Sequence, residues 1–320
     1  MTFAIREYCT KDCSKTHLFL TGQQKAIANA LRPSQQCGVT DLADISIKQH
    51  VMAALSEDIG HGDATTEALI ASDSSGRAKI IARETLTIAG IAVAKAVFVE
   101  LDNEASIDAH FEDGEEIQPG ECILTVSAQL RSLLTGERTA LNYLQRLSGI
   151  ATQSARYAKA VSGTGVLILD TRKTTPGWRL LEKYAVQCGG ARNHRRGLDD
   201  MILIKDNHLA ALSGECAIAE AIRQARLISP DLKIEVEAET LDQAQQATEA
   251  GADIVLLDNM TIEELRAAVK LIDGRAQTEA SGGITLENIR EVAETGVNYI
   301  SAGALTHSAR AVDISMKIES

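Results

Sequence analysis

The feature that most constrains this chain is a repeat. Short apolar runs recur as VLILD (166–170), MILIK (201–205), KIEVE (233–237), IVLLD (254–258), QTEAS (277–281) and NYISA (298–302). Between them lie segments with apolar residues at helical spacing, such as CAIAEAIRQARLI, LDQAQQATEA, IEELRAAVKLI and LENIREVAET. Near-continuous apolar strands alternating with helices make a parallel sheet covered by helices. Several such units in series predict a β/α barrel, closed or partly open, of about six strands rather than the usual eight. In such barrels the site gathers at the C-terminal ends of the strands. Those ends carry Asp170 with Arg172 and Lys173, then Lys205, Glu237, Asp258, Ser281-Gly282-Gly283 and Ala302-Gly303. Buried charges are costly unless paired, so one or two of these read as structural ion pairs. A charge or a glycine turn at successive strand ends reads as a site.

Ahead of the repeat, a long helical pattern runs from about Arg131 to Val161 and places Arg138, Asn142 and Arg146 on one face. An exposed polar stripe explains Arg146 well. It explains Arg138 less well, because that residue follows Gly136 among small neighbours. Further upstream, ISIKQHVMAALSEDIG predicts a helix closed by Gly60. GHGDATTEALI reads as a turn with Asp63 and Thr65 as caps, GRAKIIARETLTIAG as two short strands, and IAVAKAVFVELD as a helix. SIDAHFEDG and CILTVSAQ read as strands on either side of a turn. This mixed α/β unit holds no chemical cluster and reads as support or subunit contact. Residues 1–44 read as a peripheral extension, with a helix through roughly 22–31.

Charge then singles out one stretch. The chain carries a net charge of −12, yet residues 170–208 hold Arg172, Lys173, Arg179, Lys183, Arg192, Arg195, Arg196 and Lys205, with His194 and His208 among them. Arg179, Glu182 and Lys183 fit a solvated helix face with ion pairs in WRLLEKYAV. The remaining cations stand where buried strands emerge, which points to an anionic ligand. Three zones follow. Arg172, Lys173, His194, Arg195 and Lys205, joined by Arg138, suit carboxylates and phosphates. Glu237 and Asp258, on consecutive strands, suit ribose hydroxyls or Mg²⁺. SGG and AGA, on the last two strands and each opening a helix, suit phosphate. Together they describe a phosphorylated sugar beside a polycarboxylate.

Other classes are excluded. No P-loop of the form GxxxxGK[ST] and no GxGxxG opening a Rossmann unit occurs. No apolar run approaches the ~20 residues of a membrane helix, and the acidity argues against nucleic acid. Six cysteines without a C-x-x-C pair read as reduced thiols of a cytoplasmic protein. Cys9 and Cys13 lack the second pair that a zinc site needs. Two alternatives stay open: Lys205 as a Schiff-base lysine, and the basic island as a binder of polyanions.

The motifs LLTGERTALNYLQRLSGIAT, DTRKTTPG, YAVQCGG, NHR, IKDNH, EVE, LLDN, ASGGI and ISAGALTHSARAVDISMKI, in this order, resemble the quinolinate phosphoribosyltransferase family from about Ile47 to the C-terminus. The resemblance implies an α/β sandwich joined to an incomplete β/α barrel. The sandwich would span 45–133, joined by a C-terminal helix over 306–320, and the barrel 134–305. It implies transfer of phosphoribosyl from phosphoribosyl pyrophosphate to quinolinate with loss of CO₂, using Mg²⁺ and no organic cofactor. It also implies a homodimer, or a higher oligomer, with shared active sites. Arg172, His194, Arg195 and Lys205 would hold the quinolinate carboxylates, with Arg138 reaching in from the partner. Lys173, Glu237 and Asp258 would face the ribosyl pyrophosphate and its metal. Thr171, Ser281, Gly282, Gly283, Ala302, Gly303 and Ala304 would line substrate and phosphate sites. The sequence departs from the family at Ala191, where a third glycine is usual before x-NHR and which Arg192 follows, and at Arg196, where an apolar residue is usual.

Overall fold

The computed structural model describes residues 46–212 and 217–319. The extension, its helix near 22–31, and Cys9, Cys13, Cys37 and Cys216 lie outside them. Helix α1 (Ile47–Ile59) ends at Gly60, whose φ of 57° is one that glycine adopts without strain. The expected turn at GHGDATTEALI contains a short helix, α2 (Ala64–Leu69). Its N-cap is the foreseen Asp63, which accepts from Thr66 N at 3.0 Å. Strand β1 (Ser75–Ala82) alternates buried and exposed residues, and β2 (Leu86–Thr87) follows. Helix α3 (Ile91–Leu101) buries Val93, Ala94, Val97 and Phe98. Then come β3 (Ser106–Ala109), β4 (Glu116–Ile117) and β5 (Cys122–Gln129).

Helix α4 (Leu130–Ala160) is the 31-residue helix read from the sequence. It packs against α3 and also meets the C-terminal segment at close range. A Cβ on Gly149 would sit 2.0 Å from the Arg310 carbonyl oxygen, so only glycine fits this crossing.

The second half alternates as expected. In chain order it contains β6 (Leu167–Leu169), α5 (Arg179–Cys188), β7 (Ile202–Ile204), α6 (Asp206–Leu212), α7 (Ala217–Ile228) and β8 (Ile234–Ala238). Helix α8 (Leu241–Glu249), β9 (Ile254–Asp258), α9 (Ile262–Ile272), β10 (Gln277–Ser281), α10 (Ile289–Ala293) and β11 (Tyr299–Ser301) follow. All six apolar runs are strands, in one parallel sheet ordered β6-β11-β10-β9-β8-β7. The sheet does not close between β6 and β7. Residues 191–195 run beside β6 instead, with Arg192 N donating to Ile168 O and Asp170 N to Arg192 O. Val236, Val255, Leu257, Ala280 and Ile300 belong to the core under the helices. The alternate set, including Glu235, Glu237, Asp258, Glu279 and Ser281, lines the interior.

The C-terminal segment departs from expectation. In place of a helix over 306–320 there is one 3₁₀ turn, Gly303–Leu305, and a strand, β12 (Ile314–Glu319). ISMKIE has period two: Ile314 and Met316 are buried while Lys317 and Glu319 face outward. β12 pairs antiparallel with β1, from Ala82↔Ile314 to Arg77↔Glu319. The resulting sheet has the order β12-β1-β5-β3. Among the described residues, no helix is long and apolar enough to cross a membrane.

The tight crossing predicts that Gly149→Ala destabilises the protein by about 1–3 kcal/mol, because backbone must shift to admit the methyl group. Urea unfolding checks this; an unchanged midpoint would mean that α4 and the segment at Arg310 do not touch.

Candidate active site

The site rests on a buried ion pair. Asp170, at the end of β6, and Lys183, on α5, are both fully buried, with Lys183 Nζ 2.5 Å from Asp170 Oδ1. Asp170 also accepts from Asn193 Nδ2 and from His194 N, each at 2.8 Å. Lys183 Nζ donates in turn to His194 O at 3.0 Å. Burial raises the Asp170 carboxyl and lowers the Lys183 ammonium, and the contacts between the two oppose both shifts. The 193–195 backbone is therefore fastened to the end of β6. Gly190, at φ 80°, makes the turn ahead of this loop, and Ala191 is buried beside it.

The solvated face expected on α5 is not there. Glu182 is as buried as Lys183. It accepts from Arg146 at 2.9 Å, from Thr175 Oγ1 at 2.8 Å and from Thr175 N at 3.1 Å. Arg146, read as part of an exposed stripe, also donates to the Thr306 and Ala309 carbonyls at 2.7 Å. Thr306 Oγ1 donates to Lys173 O at 2.9 Å. Helix α4, α5 and the last turn of the barrel thus hold the DTRKTTPG loop from below. These charges face inward because the backbone groups they satisfy, Thr175 N and the Thr306 and Ala309 carbonyls, lie there.

Above this floor stand the cations. Arg172 and Arg195 are half-buried, and Arg172 Nε has no partner among the described residues. Arg195 donates to Met201 O at 3.2 Å. Burial, and then repulsion from Arg172, disfavour its charge. Two guanidiniums close together are stabilised by an anion between them. Lys205 pairs with Glu237. Asp258 accepts from Asn259 Nδ2 at 2.7 Å. Lys173 is exposed and its side chain passes Gly303, where a Cβ would lie 3.1 Å from Lys173 Cδ. Gly282, at φ 92°, fits against Asn259, and Asn259 N donates to Ser281 O at 2.9 Å. Thr171 Oγ1 accepts from Lys173 N at 3.0 Å. Neither glycine turn opens an α-helix directly. Residues 284–288 separate Gly283 from α10, and Gly303 opens the single 3₁₀ turn.

Arg138 is not brought to this cluster within the chain. It is exposed on α4, at a pocket of about 290 Å³ with Asp58, Gly62, Asp63 and Thr135. Among the described residues it makes no ion pair.

Two acids escaped the sequence reading. Glu235 and Glu279, in the middle of β8 and β10, are buried with His194 between them. His194 Nε2 lies 2.9 Å from Glu235 and 3.5 Å from Glu279. Burial is the main cause that raises Glu235 to about 7 and Glu279 to about 8, and that lowers His194. A charged residue on the inward phase of KIEVE and QTEAS was the available signal.

Open barrel, cationic pocket, paired acids and glycine turns together define a transferase of the phosphoribosyl class. The family profile "Quinolinate phosphoribosyl transferase, N-terminal domain" matches residues 63–148, and its C-terminal counterpart matches 150–317. The chain belongs to the quinolinate phosphoribosyltransferase family. A probable nicotinate-nucleotide pyrophosphorylase [carboxylating] of Bacillus subtilis is 45% identical over 263 residues, covering 82% of this chain and 90% of its own. The Mycobacterium leprae nicotinate-nucleotide pyrophosphorylase [carboxylating] is 43% identical, covering 84% and 95%. The solved nicotinate-nucleotide pyrophosphorylase of Francisella tularensis aligns with a TM-score of 0.81 at 39% identity, covering 85% and 96%.

The ion pair beneath the site generates a prediction. Lys183→Met leaves Asp170 buried and uncompensated, which costs about 3–5 kcal/mol. Adding Asp170→Asn recovers part of that loss. Equilibrium denaturation of the three proteins measures both values; a single variant as stable as wild type would refute the pairing.

Proposed function

We propose that this chain transfers phosphoribosyl from phosphoribosyl pyrophosphate to quinolinate, releasing pyrophosphate and CO₂ and forming nicotinate mononucleotide for de novo NAD synthesis. The observation that carries this reading is that Arg172 and Arg195 lie close enough to repel one another, with Arg172 Nε buried and without a partner among the described residues. Such a pocket suits a small dianion better than a monoanion.

Arg172, Arg195 and Lys205 hold the two carboxylates and fix the ring nitrogen towards the sugar. Lys173, beside Gly303, faces the pyrophosphate. Thr171, Ser281 to Gly283 and Ala302 to Ala304 line the substrate and phosphate sites. Glu237 and Asp258 face the ribose. Their hard oxygens, on adjacent strands, fit Mg²⁺ carried in with the sugar pyrophosphate. When bound, the ion neutralises charge on the leaving pyrophosphate. The ring nitrogen's lone pair forms the bond to the sugar carbon, and the carbon–oxygen bond to pyrophosphate breaks with its electrons on oxygen. The ring nitrogen is now quaternary. The electron pair of the adjacent carbon–carboxylate bond stays on the ring as CO₂ leaves, and that carbon then takes up a proton. No organic cofactor is needed. Lys205 and Glu237 are paired across β7 and β8, which sets the carboxylate-binding lysine beside the ribose-facing acid.

Two other readings fare worse. A Schiff-base lysine needs a free amine, whereas Lys205 is paired with a carboxylate. A polyanion binder needs an exposed basic surface, whereas Arg172 and Arg195 are half-buried. Free thiols at Cys122 and Cys188 support a cytoplasmic location. The exposed Arg138 supports a homodimer in which each subunit completes its neighbour's site.

Quinolinate-dependent release of CO₂ and pyrophosphate from phosphoribosyl pyrophosphate tests the reaction. Arg172→Ala or Arg195→Ala is expected to weaken quinolinate binding by about 2–5 kcal/mol, with the fold retained. Unchanged affinity in a folded variant would remove these residues from the site. For the shared site, Arg138→Ala and Lys205→Ala homodimers are each expected to be nearly inactive. After subunit exchange, activity is expected to return to about a quarter of wild type, because half of the dimers hold one intact site of two. No recovery after verified exchange would place Arg138 outside the partner's site.

A further inference from the structure

Arg138 leaves α4 beside a row of hydrogen bonds that the barrel site does not account for. Arg131, Thr135, Thr139 and Tyr143 follow one another at four-residue spacing and so form one stripe of the helix. Each donates to the segment that runs from α1 to the end of α2. Arg131 Nε donates to Ile70 O at 2.9 Å. Thr135 Oγ1 donates to Asp63 Oδ2 at 2.9 Å, and Thr139 Oγ1 to Asp58 Oδ2 at 3.4 Å. Tyr143 OH donates to His50 O at 3.0 Å. The segment is laced along the helix, and Arg138 stands in the chain between the two threonines. Asp58 and Asp63 line the pocket that holds Arg138, yet among the described residues Arg138 pairs with neither. Asp63 is held at both oxygens, by Thr66 N on Oδ1 at 3.0 Å and by Thr135 on Oδ2. The bonds from Thr66, and then the one from Thr135, hold its carboxyl below the usual range, so it is anionic at neutral pH. Turning towards the guanidinium would break them.

On the reading that Arg138 completes the neighbouring subunit's site, we propose that Thr135 and Asp63 are positioning residues for it: the threonine hydroxyl anchors the carboxylate to α4 and so leaves the guanidinium unneutralised for the neighbour's anionic substrate. Thr139 restrains Asp58 in the same way through a longer bond. The helix itself gains nothing from a β-branched hydroxyl at these positions, since threonine is among the weaker helix formers. Its value lies in the hydrogen bond. An exposed arginine with two acids in its pocket would otherwise close on one of them, and a substrate carboxylate would have to displace that acid.

Calorimetric affinity for quinolinate, measured on the full-length protein, tests the proposal. Thr135→Val keeps the shape of the side chain and frees Asp63 Oδ2. It is expected to weaken quinolinate binding about fivefold, the effect of an exposed ion pair that the substrate must break. Thr135→Ser is expected to restore wild-type affinity. Asp63→Asn keeps the helix cap and removes the charge. It is expected to rescue Thr135→Val, a result that a merely structural threonine would not give. In the Arg138→Ala background Thr135→Val is expected to change nothing further. Wild-type affinity in Thr135→Val would overturn the proposal. So would a loss that Asp63→Asn leaves in place, or one that adds to Arg138→Ala. Should Thr135→Val not fold, Asp63→Asn alone decides: affinity at or above wild type supports the proposal, and weaker binding overturns it. The underlying reading fails separately. Wild-type affinity in Arg138→Ala removes Arg138 from the neighbour's site and the proposal with it, whereas a loss there beside an unchanged Thr135→Val overturns the proposal alone.

Discussion

The buried contact between Asp170 and Lys183 organises the catalytic half of this protein. One carboxylate at the end of the first barrel strand gathers an ammonium, an amide and a backbone N–H. Through them it fixes Asn193, His194 and Arg195 beside a strand that has no other neighbour on that side. An open barrel has an unpaired edge, and an unpaired edge is a liability. Here a short polar segment covers it, and the same segment delivers an arginine to the pocket. Closure of the fold and construction of the site are one event.

A second network does the same for the preceding loop. Glu182 collects Thr175 and Arg146, and Arg146 reaches the carbonyls that follow the last barrel strand. Glu182 with Arg146 and Asp170 with Lys183 are thus satisfied beneath the loop, while Arg172 and Lys173 on it make no ion pair among the described residues. That division explains how so acidic a chain maintains a cationic pocket. Arg172 is left without an ion-pair partner among the described residues, and Arg146 and Lys183 beneath it have partners supplied by the protein.

The strand repeat was legible because burial on both faces leaves little room for polar residues. IVLLD and QTEAS begin and end where the strands do. The rim residues were legible because a strand end is a fixed place. The floor was not. Glu235 and Glu279 sit inside runs that read as strand, and a strand of five residues shows which positions alternate but not which face is polar. Lys183 and Glu182 looked like solvent charges because helical spacing is the same for a buried face and an exposed one. Partners such as Asp170 and Arg146 are distant in sequence, and only the fold brings them near. The C-terminal strand is hidden in the sequence because a six-residue alternation is short, and its partner β1 lies far earlier in the chain.

That last pairing bears on how the molecule is made. β1 and β12 are neighbours in one sheet, with Ala82 opposite Ile314. The whole barrel is therefore spliced into a domain whose first and last strands are adjacent. A ribosome emits the chain from one end, so β1 emerges long before the strand that covers its edge. Contacts this distant in sequence form slowly, because loop closure precedes any reward from the contact. The barrel, whose strands pair mostly with near neighbours in sequence, has all its parts before the sheet that precedes it does. Until β12 emerges, the edge of β1 is open to any strand that meets it, and β12 is what seals it.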